Sequence, residues 1–272
     1  MADERLIQLW IDGRSVHTRR AYLADVQSLL RAVGKPIAAL TFSDLEAWAE
    51  SLTGLTPASR ARKICAIKSL LRYGERAGYV KVNVGVGLRI PPVKNVLADR
   101  ILDRNDILRL IIHEPDPRNH ALLRLGYIAG LSISEMCRLR WRDTQARAAD
   151  GQITILGKGG KSRKIVLPPS MWDELAALRG GAFDDDPVFR SARSGALDPS
   201  QVHRIVKRAA ARAGLPTAVS AHDLRHAHIR HALERGAPAR LVQATVGHSN
   251  LRATLRYNLA GPKESSATYL SS

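Results

Sequence analysis

The sequence predicts a mainly α protein with a small β-sheet, divided into two domains. Three observations carry this expectation. Apolar residues recur at helical spacing through most of the 272 residues. Two β-branched runs, 152–156 and 163–167, flank a glycine-rich turn, and the stretch 81–100 holds Gly85, Gly87, Pro91 and Pro92 without any period. Hydrophobic residues make up 45% of the chain and are spread along it, so each domain has material for a core.

Taken in order, Ser15 to Thr18 precede an amphipathic stretch through Leu30, with Tyr22, Val26, Leu29 and Leu30 on one face and Gly34 and Pro36 ending it. Thr41 to Asp44 cap a second helix that carries Leu45 and Trp48 to Leu52 and closes at Gly54. A third helix starts at Thr56-Pro57 and runs through Ile64, Ile67, Leu70 and Leu71 to Gly78. These helices predict an N-terminal helical domain over 1–88, followed by a linker over 89–100. The second domain, 101–272, opens with Asp103 capping Ile107–Ile112, then helices over Asn119–Gly130 and Ile133–Trp141. A β-hairpin follows, with Gly157-Lys158-Gly159-Gly160-Lys161-Ser162 at its tip. Helices return at Met171–Leu178, Pro199–Ala213, Asp223–Glu234 and Pro238–Val246.

The charge points to a partner. Forty-two Lys and Arg face 25 Asp and Glu, a formal net charge of +17. Residues 1–90 hold 14 basic and 8 acidic side chains and 91–272 hold 28 and 17, so both halves are basic. That distribution suits a polyanion, nucleic acid before a membrane surface or an acidic protein. Arg60, Arg62, Lys63 and Lys68 crowd the third helix, which reads equally as a solvated face or as a helix against phosphates. Met1 to Arg5 do not form a basic region ahead of an apolar one, and no apolar run approaches the ~20 residues of a membrane span. The expected location is cytoplasmic, with no membrane partner. Cys65 and Cys137 lack any companion at metal-ligand spacing and are expected as buried free thiols.

Four features of the second domain matter together. Ala221-His222-Asp223-Leu224-Arg225-His226 puts His222 and Arg225 one helical turn apart. Val246-Gly247-His248-Ser249 follows, with His248 23 residues after Arg225, and Tyr257 stands nine residues beyond His248. Lys158 occupies the hairpin tip. Each alone has a bland explanation as a cap, a turn or a packed ring. Together they resemble the tyrosine recombinases, the phage-integrase and Xer-like site-specific DNA recombinases. His222 to His226 are similar to the family's H-x-x-R box, Leu241 to Ser249 to its "LGH" box, and Gly157-Lys158-Gly159 with Lys161 to its lysine hairpin. The helices of the first domain resemble the family's SAM-like core-binding domain.

The resemblance implies a site-specific recombinase that needs no cofactor and no metal. Tyr257 would attack the scissile phosphate and hold the strand as a 3′-phosphotyrosine. Arg225, His222 and His248 would stabilise the charge, and Lys158 would protonate the departing 5′ oxygen. Arg60, Arg62, Lys63, Lys68, Lys161 and Arg163 are the expected DNA-binding residues. The implied architecture is a C-shaped clamp on duplex DNA. The implied partners are inverted-repeat core sites, three further copies of the chain in a tetramer that passes through a Holliday junction, and accessory DNA-bending proteins, with a monomer free in solution. The family reading of residues 258–272 is a tail that docks on a neighbouring protomer.

One position departs from the pattern. The family's segment G-L-R-x-S-E stands here as Gly130-Leu131-Ser132-Ile133-Ser134-Glu135, with Ser132 where the first catalytic arginine is expected and Glu135 left without that partner. Four arginines near it in sequence, Arg124, Arg138, Arg140 and Arg163, are candidates to compensate. Two alternatives stay open: a DNA-binding regulator of recombinase descent that is non-catalytic or strongly impaired in cutting, and a type IB topoisomerase-like relaxase that reseals the strand it cuts.

Overall fold

The structure is a computed structural model that describes residues 2–92, 101–157, 160–216 and 218–257. The chain divides into two compact units, residues 1–95 and 96–272. Residues 93–100 of the expected linker, Lys158 at the hairpin tip and the tail from Asn258 onward lie outside the described residues.

The first unit is all helical: α1 (Ala2–Ile11), α2 (Val16–Val33), α3 (Phe42–Ser51) and α4 (Pro57–Arg76). The caps fall at the expected residues. Ser15, Thr41 and Thr56 accept from Thr18, Asp44 and Ser59 N–H, each satisfying a donor that the first turn leaves orphaned and contributing about 1 kcal/mol. Gly34 closes α2 at φ +69°, a left-handed conformation that costs other residues strain. Leu29, Leu45, Trp48, Ile64, Ile67 and Leu70 meet in one core. Helix α1 was not among the expected elements; Leu6, Ile7, Trp10 and Ile11 give it an apolar face that joins the same core. Cys65 corrects an expectation. It is exposed, not buried, because it stands on the outer side of α4 while Ile64 and Ile67 turn inward.

In the second unit, α5 (Arg104–Ile112), α6 (Pro117–Ile128) and α7 (Ile133–Arg138) lead to a three-stranded antiparallel sheet, β1 (Thr144–Ala146), β2 (Gly151–Leu156) and β3 (Ser162–Leu167), in the order β1-β2-β3. Ile153 pairs with Ile165 and Ile155 with Arg163, so alternate side chains of β2 enter the core. Helices α8 (Pro169–Ala177), α9 (Pro199–Arg212), α10 (Ala221–Glu234), α11 (Ala239–Val246) and α12 (Leu251–Leu255) complete it. Helix α7 stops at Arg138, three residues before the expected end. Leu139 turns extended to bury its side chain, and the Leu139 carbonyl accepts from Val188 N–H. Strand β1 and helix α12 were also unforeseen, being too short for a periodic signal. No described helix is long and apolar enough to cross a membrane.

Candidate active site

The start of α10 fixes two residues of the site. Asp223 accepts from the Ser220 N–H at 2.7 Å and from its hydroxyl at 2.8 Å, which pins the first turn. His222 then emerges exposed, and Arg225, one turn on, is buried. The Arg225 guanidinium donates to the Gly130 carbonyl at 2.7 Å and the Val246 carbonyl at 2.5 Å, and lies 3.6 Å from the Glu135 carboxylate. Burial lowers its pKa from the ordinary arginine value, and Glu135 opposes that shift. Gly130 is required where it stands: its φ is +60°, and a Cβ there would meet the His228 ring at 2.7 Å and Val246 at 2.9 Å.

Ser132 is engaged locally in the structure. It is the N-cap of α7, joined reciprocally to Glu135: the Ser132 N–H donates to Glu135 at 2.7 Å, and the Ser132 hydroxyl accepts from the Glu135 N–H at 3.4 Å. Glu135, without an arginine at position 132, has another basic partner. Arg163 on β3 donates to its other oxygen at 2.7 Å. Burial pushes the Glu135 carboxyl up, but Arg163 and the Ser132 N–H together hold it below the usual carboxylate range.

The Gly-His loop closes the other side. His248 is half-buried, its Nδ1 2.9 Å from the hydroxyl of Thr254, a fully buried residue of α12. Desolvation, then the nearby Arg225 charge, lowers the His248 pKa; the same two causes lower that of His222. Tyr257 follows α12 and is only 6% exposed, packed with Ile229, Val242 and Val246. Its hydroxyl meets Nδ1 of His226, whose ring stacks on it at 5.3 Å and stands edge-on to His222 at 4.2 Å. Burial holds His226 down at about 4 and raises the Tyr257 phenol, so a neutral imidazole shares this hydrogen bond with a protonated phenol. His226 and Thr254 were not expected as site residues. His226 carried a signal, four residues after His222 and hence on its face; Thr254 carried none.

The structure thus brings together Tyr257, Arg225, His222, His248, Glu135, Ser132 and Arg163, with Lys158 outside the described residues. Lys161 is exposed beside the hairpin tip. The four cations of α4 lie in the other unit and are engaged within it. Arg62 grips both oxygens of the buried Asp25, Lys63 reaches the same carboxylate at 3.2 Å, and Arg60 donates to the Ala49 carbonyl at 3.4 Å. Lys68 Nζ donates to the carbonyls of Gly85, Val86 and Leu88 at 2.8–2.9 Å. Among the described residues, no three His, Cys, Asp or Glu side chains are grouped to hold a metal ion.

Known proteins share this sequence pattern and fold. The phage integrase family model matches residues 100–263, and that of the phage integrase N-terminal SAM-like domain matches residues 4–78. A tyrosine recombinase XerC of Xylella fastidiosa (strain 9a5c) is 34% identical over 261 residues, 90% of this chain and 86% of the relative. Among solved structures, XerH site-specific recombinase bound to its difH substrate in a pre-cleavage complex matches with a TM-score of 0.75 at 19% identity, over 99% of this chain and 84% of that one. A lambda integrase tetramer bound to a Holliday junction matches with a TM-score of 0.72 at 16% identity, over 96% and 79% of the two chains. The fold is shared with both structures, and the sequence places the chain in the phage integrase family, the tyrosine recombinases.

Proposed function

We propose that this recombinase cuts and rejoins duplex DNA at specific sites with Tyr257 as nucleophile. One observation supports the reading: a buried Arg225 guanidinium, held by two carbonyls and flanked by His222, His248 and Tyr257, sets a fixed positive charge among groups suited to bind an anion. A phosphodiester supplies that anion. The Tyr257 oxygen bonds to phosphorus, the bond to the 5′ oxygen breaks, the phenolic proton passes to a neighbouring imidazole, and the 5′ oxygen takes a proton from Lys158. The phosphoester conserves the bond, so the 5′ hydroxyl of another strand reverses the step without a nucleotide cofactor.

Arg225, being planar and permanently charged, fits two non-bridging oxygens. His222 and His248 donate to the same oxygens. Ser132, standing where the family pattern has an arginine, serves as a helix cap. The basic side chains of both units bind the duplex backbone, and recombination requires four protomers on two inverted-repeat sites, by analogy with the tetramer on a Holliday junction. The work is done on DNA inside the cell.

The test uses nicked suicide duplexes tiled across the DNA that flanks the gene, which trap the covalent complex. Wild type is expected to form an adduct that resists denaturation, and Tyr257→Phe to form none. Specific binding without an adduct overturns the reading in favour of a regulator. Religation of the same strand, with no exchange when a second duplex is present, favours a relaxase.

A further inference from the structure

The site holds a second largely buried guanidinium, that of Arg163, whose side chain is 14% exposed. Arg163 reaches in from β3. Its Nε donates to the Thr245 carbonyl at 2.7 Å, and its Nη1 to Glu135 at 2.7 Å. Its Nη2 is buried and has no hydrogen-bond partner among the described residues. A guanidinium N–H enclosed without an acceptor is unfavourable, and the group that best relieves it is an anion. Arg163 and Arg225 approach the same carboxylate, one from each of its oxygens, so two fixed positive charges flank Glu135.

The Gly-His loop is shaped around Arg163. A Cβ on Gly247 would lie 3.0 Å from Nη1 and 3.2 Å from Cζ, so the glycine leaves the room that the guanidinium fills. The next residue is His248. The Arg163 charge contributes to lowering the pKa of both His248 and Arg225, which places it electrostatically within their group.

The other arginines near Ser132 in sequence are not comparably placed. Arg124 is tied to Glu174 and to Ser170. Arg140 donates to the Asp185 carbonyl, and Arg138 is exposed at the end of α7.

We propose that Arg163 is a catalytic residue of this protein, its free Nη2 neutralising a non-bridging oxygen of the scissile phosphate in the role that the family pattern gives to an arginine at position 132. The inference rests on the recombinase reading above. It explains how a serine cap at that position is compatible with a working site: the charge comes from the strand, and Glu135 orients it.

The experiment measures adduct formation by the full chain on the nicked duplex that wild type cleaves, with the scissile phosphate intact or replaced by an uncharged methylphosphonate. Arg163→Ala is expected to slow cleavage of the phosphate by about 10²–10³-fold, the usual loss for one donor to a developing oxyanion. On the methylphosphonate, which has one negative charge fewer to neutralise, the deficit relative to wild type should shrink by at least tenfold. A merely structural support for Glu135 would give the same deficit on both substrates, and that result overturns the proposal. Ser132→Arg tests it without touching Arg163: it should raise the wild-type rate by less than tenfold, and a larger gain means that the role stands vacant. Failure of wild type to form an adduct on any duplex overturns the recombinase reading itself, whereas failure confined to the Arg163 and Ser132 arms leaves that reading standing.

Discussion

Each unit of the molecule sets two cations against one buried carboxylate, and the two arrangements differ in how far the cations are buried. In the first unit the anion is inside: Asp25 has a side chain 1% exposed, while Arg62 is 46% and Lys63 18% exposed as they reach down to it. In the second, both cations are inside with their partner, Arg225 at 11%, Arg163 at 14% and Glu135 at 15% exposed. The surplus positive charge of the first cluster is therefore spread into water, where it contributes little beyond holding α2 to α4. The surplus of the second is enclosed and supported by carbonyl dipoles, so it keeps its full effect on an anion that excludes water as it arrives. The two ion clusters thus differ in whether the cations are buried along with their carboxylate.

The largest effect should follow from weakening the buried cation. Arg225→Lys keeps the charge but offers an ammonium that cannot satisfy the Gly130 and Val246 carbonyls and also present a fork to phosphate. Cleavage of the suicide duplex is expected to fall by about 10³-fold or more, at the scale of losing several oriented donors. A loss under tenfold would mean that position matters less than charge, and the contrast between the clusters would lose its catalytic meaning.

Stability sharpens the same contrast. Glu135→Gln leaves two enclosed guanidinium groups without a counter-charge, which should cost about 3–5 kcal/mol. Asp25→Asn removes the buried charge itself and lets Arg62 and Lys63 relax into solvent, so about 1–3 kcal/mol is expected, the worth of hydrogen bonds to a charged group. Hydrogen exchange read separately over 1–95 and 96–272 checks both. Equal costs would show that the burial difference does not govern the energetics.

Acid should separate the units next. Eight of the nine histidines lie in the second unit. Burial holds His226 and His228 at about 4, well below the ordinary 6.5. The unfolded chain takes up those protons near pH 6.5 and the folded one does not, so their contribution to stability is fully present above pH 6.5 and is lost as pH falls toward 4. In the first unit Asp44, held at about 2 chiefly by Lys35, loses its contribution only below the ordinary carboxylate value of 3.8. Between pH 7 and 5, exchange protection should decline in 96–272 and hold in 2–92. Equal decline in both would remove the histidines as the cause.

Much of this was legible in sequence where a signal is local. Ser15, Thr41, Thr56 and Asp103 announced helix starts because capping is a matter of three or four residues. The Arg225, His248 and Tyr257 boxes were legible as ordered spacings. What the sequence did not carry was pairing across the fold. Arg163 stands 28 residues from Glu135, and Thr254, though only six residues after His248, carries no spacing that marks it as that ring's partner. For the same reason a row of cations on α4 could not be told from a DNA-contacting face: Asp25 lies 37 residues before Arg62, and the carbonyls that hold Lys68 belong to a loop with no period.

The smallest effect tests that last point. Lys68 stood among the expected DNA-binding residues, yet its ammonium has three donors and three carbonyls already take them, those of Gly85, Val86 and Leu88. Bringing it to a phosphate would break all three. Lys68→Met, similar in length and without charge, should therefore leave DNA affinity within about twofold and the slope of log affinity against log salt unchanged, whereas loss of a true phosphate contact lowers that slope by about one. The cost should appear as stability, about 1 kcal/mol from carbonyls returned to water. A reduced salt slope would show that Lys68 leaves its carbonyls for DNA, and the cations of the first unit would then be mobile ligands like those expected of an open surface.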